Sequence, residues 1–259
     1  MARARACLRL PVDSPPVDRP RTDRALVVVP AWNESEVLPQ VLAELQLHVP
    51  ELDVLVVDDG STDGTADVVR ADGHAQVVSL PFNVGVGAAM RTGFLYASRH
   101  GYRAVVQVDA DGQHDPADVL ALLEQVDHGV DVVIGARFAG VGDYQVGLLR
   151  RMAMKFLAVS VSRIAKSPLT DVTSGFRASS PRAVELFARE YPPEYLGDTV
   201  ESLVLAGRAG LTVSQVPVQL RERQGGRPSQ GVFRSIVYVG RAVLVLGLAL
   251  LHRADDRDA

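Results

Sequence analysis

Short runs of consecutive apolar residues alternate along the chain with longer stretches in which apolar positions recur every three or four residues. ALVVVP at 25–30, DVLVVD at 53–58, QVVSL at 76–80, RAVVQVD at 103–109 and DVVIGA at 131–136 are rich in valine and end on polar or glycine residues. Runs of this kind read as strands covered on both faces. Stretches 35–48, 62–71, 86–100 and 116–127 read as the helices between them. The alternation predicts an α/β fold with a mostly parallel central sheet, right-handed crossovers and flanking helices. After Arg137 the texture changes. A glycine-rich loop (139–147) leads into a basic amphipathic helix (148–166), then a turn-rich segment, DVTSGFRASS (171–180). A helix from Pro181, another over 198–210 and a strand within LTVSQVPVQL (211–220) follow.

Composition narrows the class. Of 259 residues, 47% are hydrophobic and 22% charged, which excludes disorder throughout, collagen-like repetition and a disulfide scaffold. A formal net charge of −4 argues against a nucleic-acid binder held by a general basic field. The single cysteine, Cys7, suits a reducing cytoplasm. Residues 1–24 carry arginine and proline without the apolar core of a signal peptide, and read as a disordered lead. The stretch 232–252 is strongly apolar but interrupted by Arg234 and Arg241. Its uncharged run is about half of a spanning helix, so it reads as an interfacial helix, or one packed on the core or a second subunit. The expected organisation is a lead at 1–24, a catalytic domain at 25–231, and a C-terminal helix with an acidic tail at 232–259.

In open parallel sheets, ligands bind beyond the carboxyl ends of the strands. The polar clusters of this chain fall at those ends: Trp32 to Glu34 after the first strand, Asp58 to Asp63 after the second, Asp109 to Asp115 after the fourth. In VVDDGSTDGT (56–65) the adjacent Asp58 and Asp59 lead a glycine-rich turn into a helix. Part of that pattern is N-capping and turn chemistry. Two adjacent carboxylates also suit the ribose hydroxyls and base N–H donors of a nucleoside. In QVDADGQHDP (107–116), Asp109, Asp111 and Gln113 offer oxygen ligands at i, i+2 and i+4. Such a set can converge on a hard cation, Mg²⁺ or Mn²⁺, that keeps open positions for phosphates. A solvated turn ended by Asp115 and Pro116 would need the same residues. The first cluster, expected on a neighbouring strand, strengthens the ligand reading. The glycines of NVGVGAAMRTG (83–93) read as a tight turn and helix start, with Arg91 a candidate phosphate contact.

PAWNE (30–34), VVDDGSTDGT, NVGVGAAMRTG, VDADGQHDP and TSGFRA (173–178), in this order, resemble family 2 glycosyltransferases, most closely the polyprenyl-phosphate (dolichol-phosphate) mannose synthase branch. The resemblance covers about 25–231. It implies a GT-A fold, a nucleotide-diphosphate sugar donor (GDP- or UDP-linked), a divalent cation and an inverting transfer. By position, Pro30, Trp32, Glu34, Asp58 and Asp59 would line the nucleoside pocket. Asp109, Asp111 and Gln113 match the family's metal-binding Asp-x-Asp-x-Gln, with Asp109 also beside the nucleotide and Asp111 catalytic. Arg137 matches a basic residue facing the phosphates, and Arg151 and Arg223 match further basic positions around the donor and acceptor phosphate; Ser174 suits an acceptor-site turn, and Arg227 is the nearby substitute for the basic residue that the branch carries late in the chain. The branch's late Gly-x-Ser-Lys is replaced here by RQGGRPSQ (223–230), which has no lysine. Members using hydroxyl acceptors carry a Glu-Asp pair whose aspartate is the general base. Here Gly197 precedes Asp198, so Asp198 is either that base or a helix N-cap. The branch implies a polyprenyl phosphate acceptor; the helix at 148–166, with Leu149, Met152 and Phe156 on its apolar face beside basic residues, and the apolar stretch 232–252 suit peripheral membrane contact at the cytoplasmic face. The alternative is a soluble glycan or metabolite hydroxyl with Asp198 as base.

Overall fold

The computed structural model describes residues 23–137, 148–192, 197–219 and 221. Seven strands form one sheet: β1 (Ala25–Ala31), β2 (Asp53–Asp58), β3 (Gln76–Ser79), β4 (Ala104–Gln107), β5 (Val132–Arg137), β6 (Arg177–Ser179) and β7 (Val213–Val218), in the order β3-β2-β1-β4-β6-β5-β7. All pairings are parallel except those of β6, which runs antiparallel between β4 and β5. The helices are α1 (Leu38–His48), α2 (Thr65–Asp72), α3 (Val86–His100), α4 (Val119–Asp127), α5 (Leu148–Ala165), α6 (Pro181–Glu190) and α7 (Gly197–Arg208), with a 3-10 turn, Pro116–Asp118, ahead of α4.

Alternation along the strands divides the core in two. Leu26, Val28, Leu55 and Val57 face α3, α5, α6 and α7, where Phe94, Leu157, Phe187 and Leu203 are buried. Val27, Val29, Val56 and Val106 face α1, α2 and α4 over Leu42, Leu45, Val69 and Leu122. Each inner strand is therefore covered on both sides, which is why its sequence is a continuous apolar run.

Several expectations shift. The helix expected over 62–71 starts at Thr65, because residues 61–64 make the turn that precedes it. The segment expected only as turns, 171–180, contains β6. Three residues without alternation carry no strand signal, and β6 exists because β4 and β5 supply partners on both sides. The two acidic clusters do not sit on neighbouring strands: β2 and β4 flank β1. Asp198 lies within α7. At the amino end of the chain, Arg24 pairs with Asp53 at 2.7 Å, and Arg103 Nε donates to the carbonyl of Asp23, so these two residues are tied to the domain. Residues 1–22, the loop 139–147, Arg223, Arg227 and the stretch 232–252 lie outside the described residues, as do the side chains of Arg137, Arg151 and Asp198. Among the described residues no helix is long and apolar enough to cross a membrane.

Away from the strand ends that carry the acidic clusters, Asp131 is buried and accepts from Ser180 Oγ, Thr212 N–H and Arg182. Ser180 also caps α6 through Ala183 N–H. This network joins the starts of β5, α6 and β7, and leaves the opposite edge to the site.

Candidate active site

The carboxyl ends of β1, β2 and β4 form one edge, and their loops are sewn together. Asn33, with φ of +54°, holds a left-handed conformation that asparagine tolerates. Its Oδ1 accepts from Thr62 N–H at 2.9 Å, and its own N–H donates to Ser61 Oγ at 2.9 Å. Glu34 N–H donates to Thr65 Oγ1 and Ser35 N–H to Asp63 Oδ2. The loops after β1 and β2 thus form a single rigid ledge. Trp32 stands on it with 43% of its surface exposed. Pro30 is half-buried where β1 ends.

Asp63 belongs to this stitching. Partial burial works against its ionisation, but hydrogen bonds from the Thr65 hydroxyl, the Ser35 N–H and side chain, and Thr65 N–H outweigh it and bring its pKa down to about 2 from 3.8. A carboxyl with a lowered folded pKa contributes stability above its unfolded value, lost as pH falls through the folded one. Asp63→Ala is therefore expected to lower the melting temperature at pH 7. The gap to the parent should close between about pH 4 and pH 2, the interval between the two values, 3.8 and about 2. Melting scans across that range check it; a gap independent of pH would refute it.

Asp58 and Asp59 are both buried. Asp58 Oδ1 accepts from Ser61 N–H at 3.0 Å. Both oxygens of Asp59 meet the loop before α3, accepting from Val84 N–H at 2.8 Å and Gly85 N–H at 2.7 Å. Burial pushes the Asp59 carboxyl up from its ordinary value; the Val84 and Gly85 N–H groups pull it back, and neighbouring Asp58 pushes it up further. Asp59 thus carries a structural duty that the sequence does not reveal: it positions the glycine-bearing loop against the nucleoside ledge. Arg91, by contrast, donates to the carbonyls of Ala188 and Arg189 at the end of α6, so it fastens α3 to α6.

Beyond β4, the loop 109–115 folds tightly. Gln113 N–H donates to Asp111 Oδ1 at 3.1 Å, an Asx turn that brings Asp111 and Gln113 together. Asp109 Oδ1 accepts from Gln107 Nε2 at 2.9 Å. Gly175 leaves room beside the same carboxylate that a side chain would fill: a Cβ there would lie 3.1 Å from Asp109 Oδ2 and 2.9 Å from Gln107 Nε2. The loop 172–176 is held by Arg177, a buried guanidinium that donates to the carbonyls of Val172, Ser174 and Thr199 and to Ser202 Oγ. Ser174 is buried as well, its hydroxyl accepting from Phe176 N–H at 3.3 Å. Two carboxylates and an amide oxygen form a hard-oxygen donor set of the kind Mg²⁺ and Mn²⁺ take. The Gly175 hollow leaves the Asp109 carboxylate uncrowded, so these residues fit such an ion. No group of three or more His, Cys, Asp or Glu side chains placed to bind a metal exists among the described residues.

Arg137 ends β5 at this same edge: Gln107, Arg177 and Ile134 align across β4, β6 and β5, and Arg137 lies three residues beyond Ile134. The sequence did not single out Arg221. Its N–H donates to Gln113 O at 2.9 Å, and its guanidinium pairs with Asp115 at 2.9 Å and with Glu44. The chain leaving β7 is thereby bound to the 109–115 loop.

Residues 26–184 match the sequence model described as glycosyl transferase family 2. The chain belongs to that family. This glycosyltransferase is 34% identical over 229 residues to the polyprenol monophosphomannose synthase of Mycolicibacterium smegmatis, covering 83% of each chain. It is 36% identical over 211 residues to the undecaprenyl-phosphate mannosyltransferase of Micrococcus luteus, covering 78% of this chain and 86% of the relative. Its fold is similar to glucosyl-3-phosphoglycerate synthase from Mycobacterium tuberculosis, solved with Mn²⁺, UDP and phosphoglyceric acid: TM-score 0.65 at 24% identity, over 88% of this chain and 78% of that one. The sheet and its two helical layers are the GT-A architecture, and the enzyme is a hexosyltransferase.

Proposed function

We propose that this glycosyltransferase moves a sugar, with inversion, from a GDP- or UDP-linked donor to a polyprenyl phosphate at the cytoplasmic face of a membrane. The observation that carries the acceptor is the identity of 34% and 36%, over most of both chains, to two enzymes whose names specify polyprenol and undecaprenyl phosphate chemistry. In this reading the nucleoside lies on the ledge of Pro30, Trp32, Glu34, Asp58 and Asp59. Asp109, Asp111 and Gln113 hold the cation. A bound Mg²⁺ or Mn²⁺ supplies charge neutralisation for the departing diphosphate. Arg137 and Arg151 would add electrostatic stabilisation where charge develops. The acceptor phosphate is ionised near neutral pH, so its oxygen attacks the anomeric carbon opposite the leaving group without a general base.

Two features support a lipid-linked acceptor. Phe156 and Val159 are exposed on α5, on one side with the exposed Lys155, Arg163 and Lys166. Apolar and cationic residues on one helical face suit an anionic lipid surface. The main-chain N–H of Arg221 donates to Gln113 O, which brings the chain leaving β7 to the cation loop. In this reading Arg223 and Arg227, which follow in the sequence, hold the lipid phosphate beside the donor.

The test is transfer by the full chain with GDP- and UDP-sugars, Mg²⁺ or Mn²⁺, and short- and long-chain polyprenyl phosphates. Truncation after Gly231 should preserve transfer to the short chain while membrane association and use of the long chain fall. Transfer only to hydroxyl acceptors, abolished by Asp198→Asn, would replace this reading with the soluble-acceptor one. Asp59→Ala is expected to raise the donor KM more than it lowers kcat, because nucleoside contacts are made equally in ground and transition states. The freed Val84 and Gly85 N–H groups should also cost about 2 kcal/mol of stability. Steady-state kinetics alongside melting scans check both; an unchanged KM would leave Asp59 with its structural duty alone.

A further inference from the structure

One buried titratable residue of the 109–115 loop has no role in the proposed transfer. His114 is 5% exposed, and its ring stacks on the fully buried Phe176 with centroids 4.8 Å apart and planes 15° from parallel. Asp109 N–H donates to His114 Nδ1 at 3.0 Å. A main-chain N–H is always a donor, so Nδ1 is the acceptor, and the neutral ring carries its proton on Nε2. Nε2 faces Asp109 Oδ2 at 3.7 Å, longer than a hydrogen bond. The other oxygen, Oδ1, is held by the amide of buried Gln107. Asp109 is thus gripped through its main chain by one residue and through its carboxylate by another, while about a third of its side chain, 35%, stays open to solvent.

We propose that His114 and Gln107 are positioning residues that fix the backbone and carboxylate of Asp109 in the orientation that binds the divalent cation. The relevant pattern is then Gln-x-Asp-x-Asp-x-Gln-His, 107–114, in which the Gln107 amide holds the carboxylate of Asp109 and the terminal histidine folds back to its main chain. Phe176 prevents the ring from turning, and Gly175 lets the 172–176 loop lie against the same carboxylate. A carboxylate already oriented in the free protein loses little freedom when a cation arrives. Partners of metal ligands typically alter affinity 10- to 100-fold when removed.

The inference rests on Asp109 and Asp111 as cation ligands, so the experiment separates the two. Mn²⁺ is titrated into the full-length protein, alone and with UDP or GDP, and bound metal is read from loss of the free-Mn²⁺ paramagnetic resonance signal. His114→Phe keeps a planar ring on Phe176 and removes both nitrogens; it should weaken Mn²⁺ binding about 10- to 100-fold. His114→Asn places an amide oxygen near the position of Nδ1 and should recover most of that loss. Gln107→Met, of similar volume, should weaken binding independently, and it serves in place of His114→Phe if that variant melts far below the parent. Wild-type Mn²⁺ affinity in both His114→Phe and Gln107→Met, with Asp111→Asn impaired, overturns the positioning role alone. An asparagine variant no better than phenylalanine overturns the Nδ1 bond as its basis. Asp111→Asn with wild-type affinity removes the cation reading and this inference with it.

Discussion

Replacing Asp111 with asparagine is expected to cut sugar transfer at least a thousandfold while leaving the melting temperature within a degree or two of the parent. The two effects separate because the proposed reading gives Asp111 two tasks. Its Oδ1 accepts from Gln113 N–H, and an asparagine oxygen accepts that bond equally well, so the loop keeps its shape. What asparagine lacks is the negative charge that holds a divalent cation against a departing diphosphate. Charge stabilisation of that kind contributes several kcal/mol to the transition state, and each 1.36 kcal/mol is about tenfold in rate. Loss of one carboxylate from a loop that also carries Asp109 and Asp115 can even stabilise the metal-free protein by relieving repulsion. Single-turnover transfer measured beside a thermal melt tests the pair of outcomes. Substantial residual transfer in the variant would remove Asp111 from the catalytic centre.

Gly60→Ala should have the largest effect on stability. Gly60 has φ of +69°, and a Cβ there would stand 2.4 Å from the carbonyl carbon of Phe82 and 2.6 Å from Asn83 N. Those are main-chain atoms of the loop that Asp59 holds through Val84 and Gly85, so no side chain can swing aside. Left-handed strain of 1–2 kcal/mol adds to the displacement of that loop, for a total of about 3–5 kcal/mol. At this chain length that is a fall of about 10 °C in melting temperature. Nucleotide affinity should fall with it, because the ledge and the glycine-bearing loop no longer meet. Gly64→Ala is the internal comparison. Its φ is also positive, at +89°, yet a Cβ there meets nothing within 4 Å, so only backbone strain of about 1 kcal/mol is expected. Equal losses in the two variants would show that backbone conformation, not the Phe82 contact, sets the cost.

Much of the scaffold is legible from local pattern. The helix read at 86–100 forms over Val86–His100, and the strand read at 53–58 over Asp53–Asp58. In both, the periodicity of buried residues and the flanking glycine or polar residues point the same way. Gly101, in the left-handed conformation, closes α3. Boundaries slip where polar residues serve the neighbouring loop. Ser35 donates its N–H to Asp63, so α1 starts at Leu38 and not at Ser35.

The sequence by itself determined the alternation of strands and helices, the acidic loops that end β2 and β4, and the family, because each of these is written in contiguous residues. Only the tertiary structure decided what those loops touch. It inserted β6 between β4 and β5, and seated Gly175 against Asp109. It also turned Asp59 toward Val84 and Gly85, and folded Arg221 back to Gln113 and Asp115 across more than a hundred residues of chain. It gave His114 a buried place beneath the first aspartate of its own motif, where the sequence shows only a polar residue in a polar turn. The physical reason is the same in each case. Periodicity and turn chemistry are set by near neighbours and can be read along the chain. Burial, hydrogen-bond partners and steric room at a glycine are set by segments that meet only when the sheet is assembled.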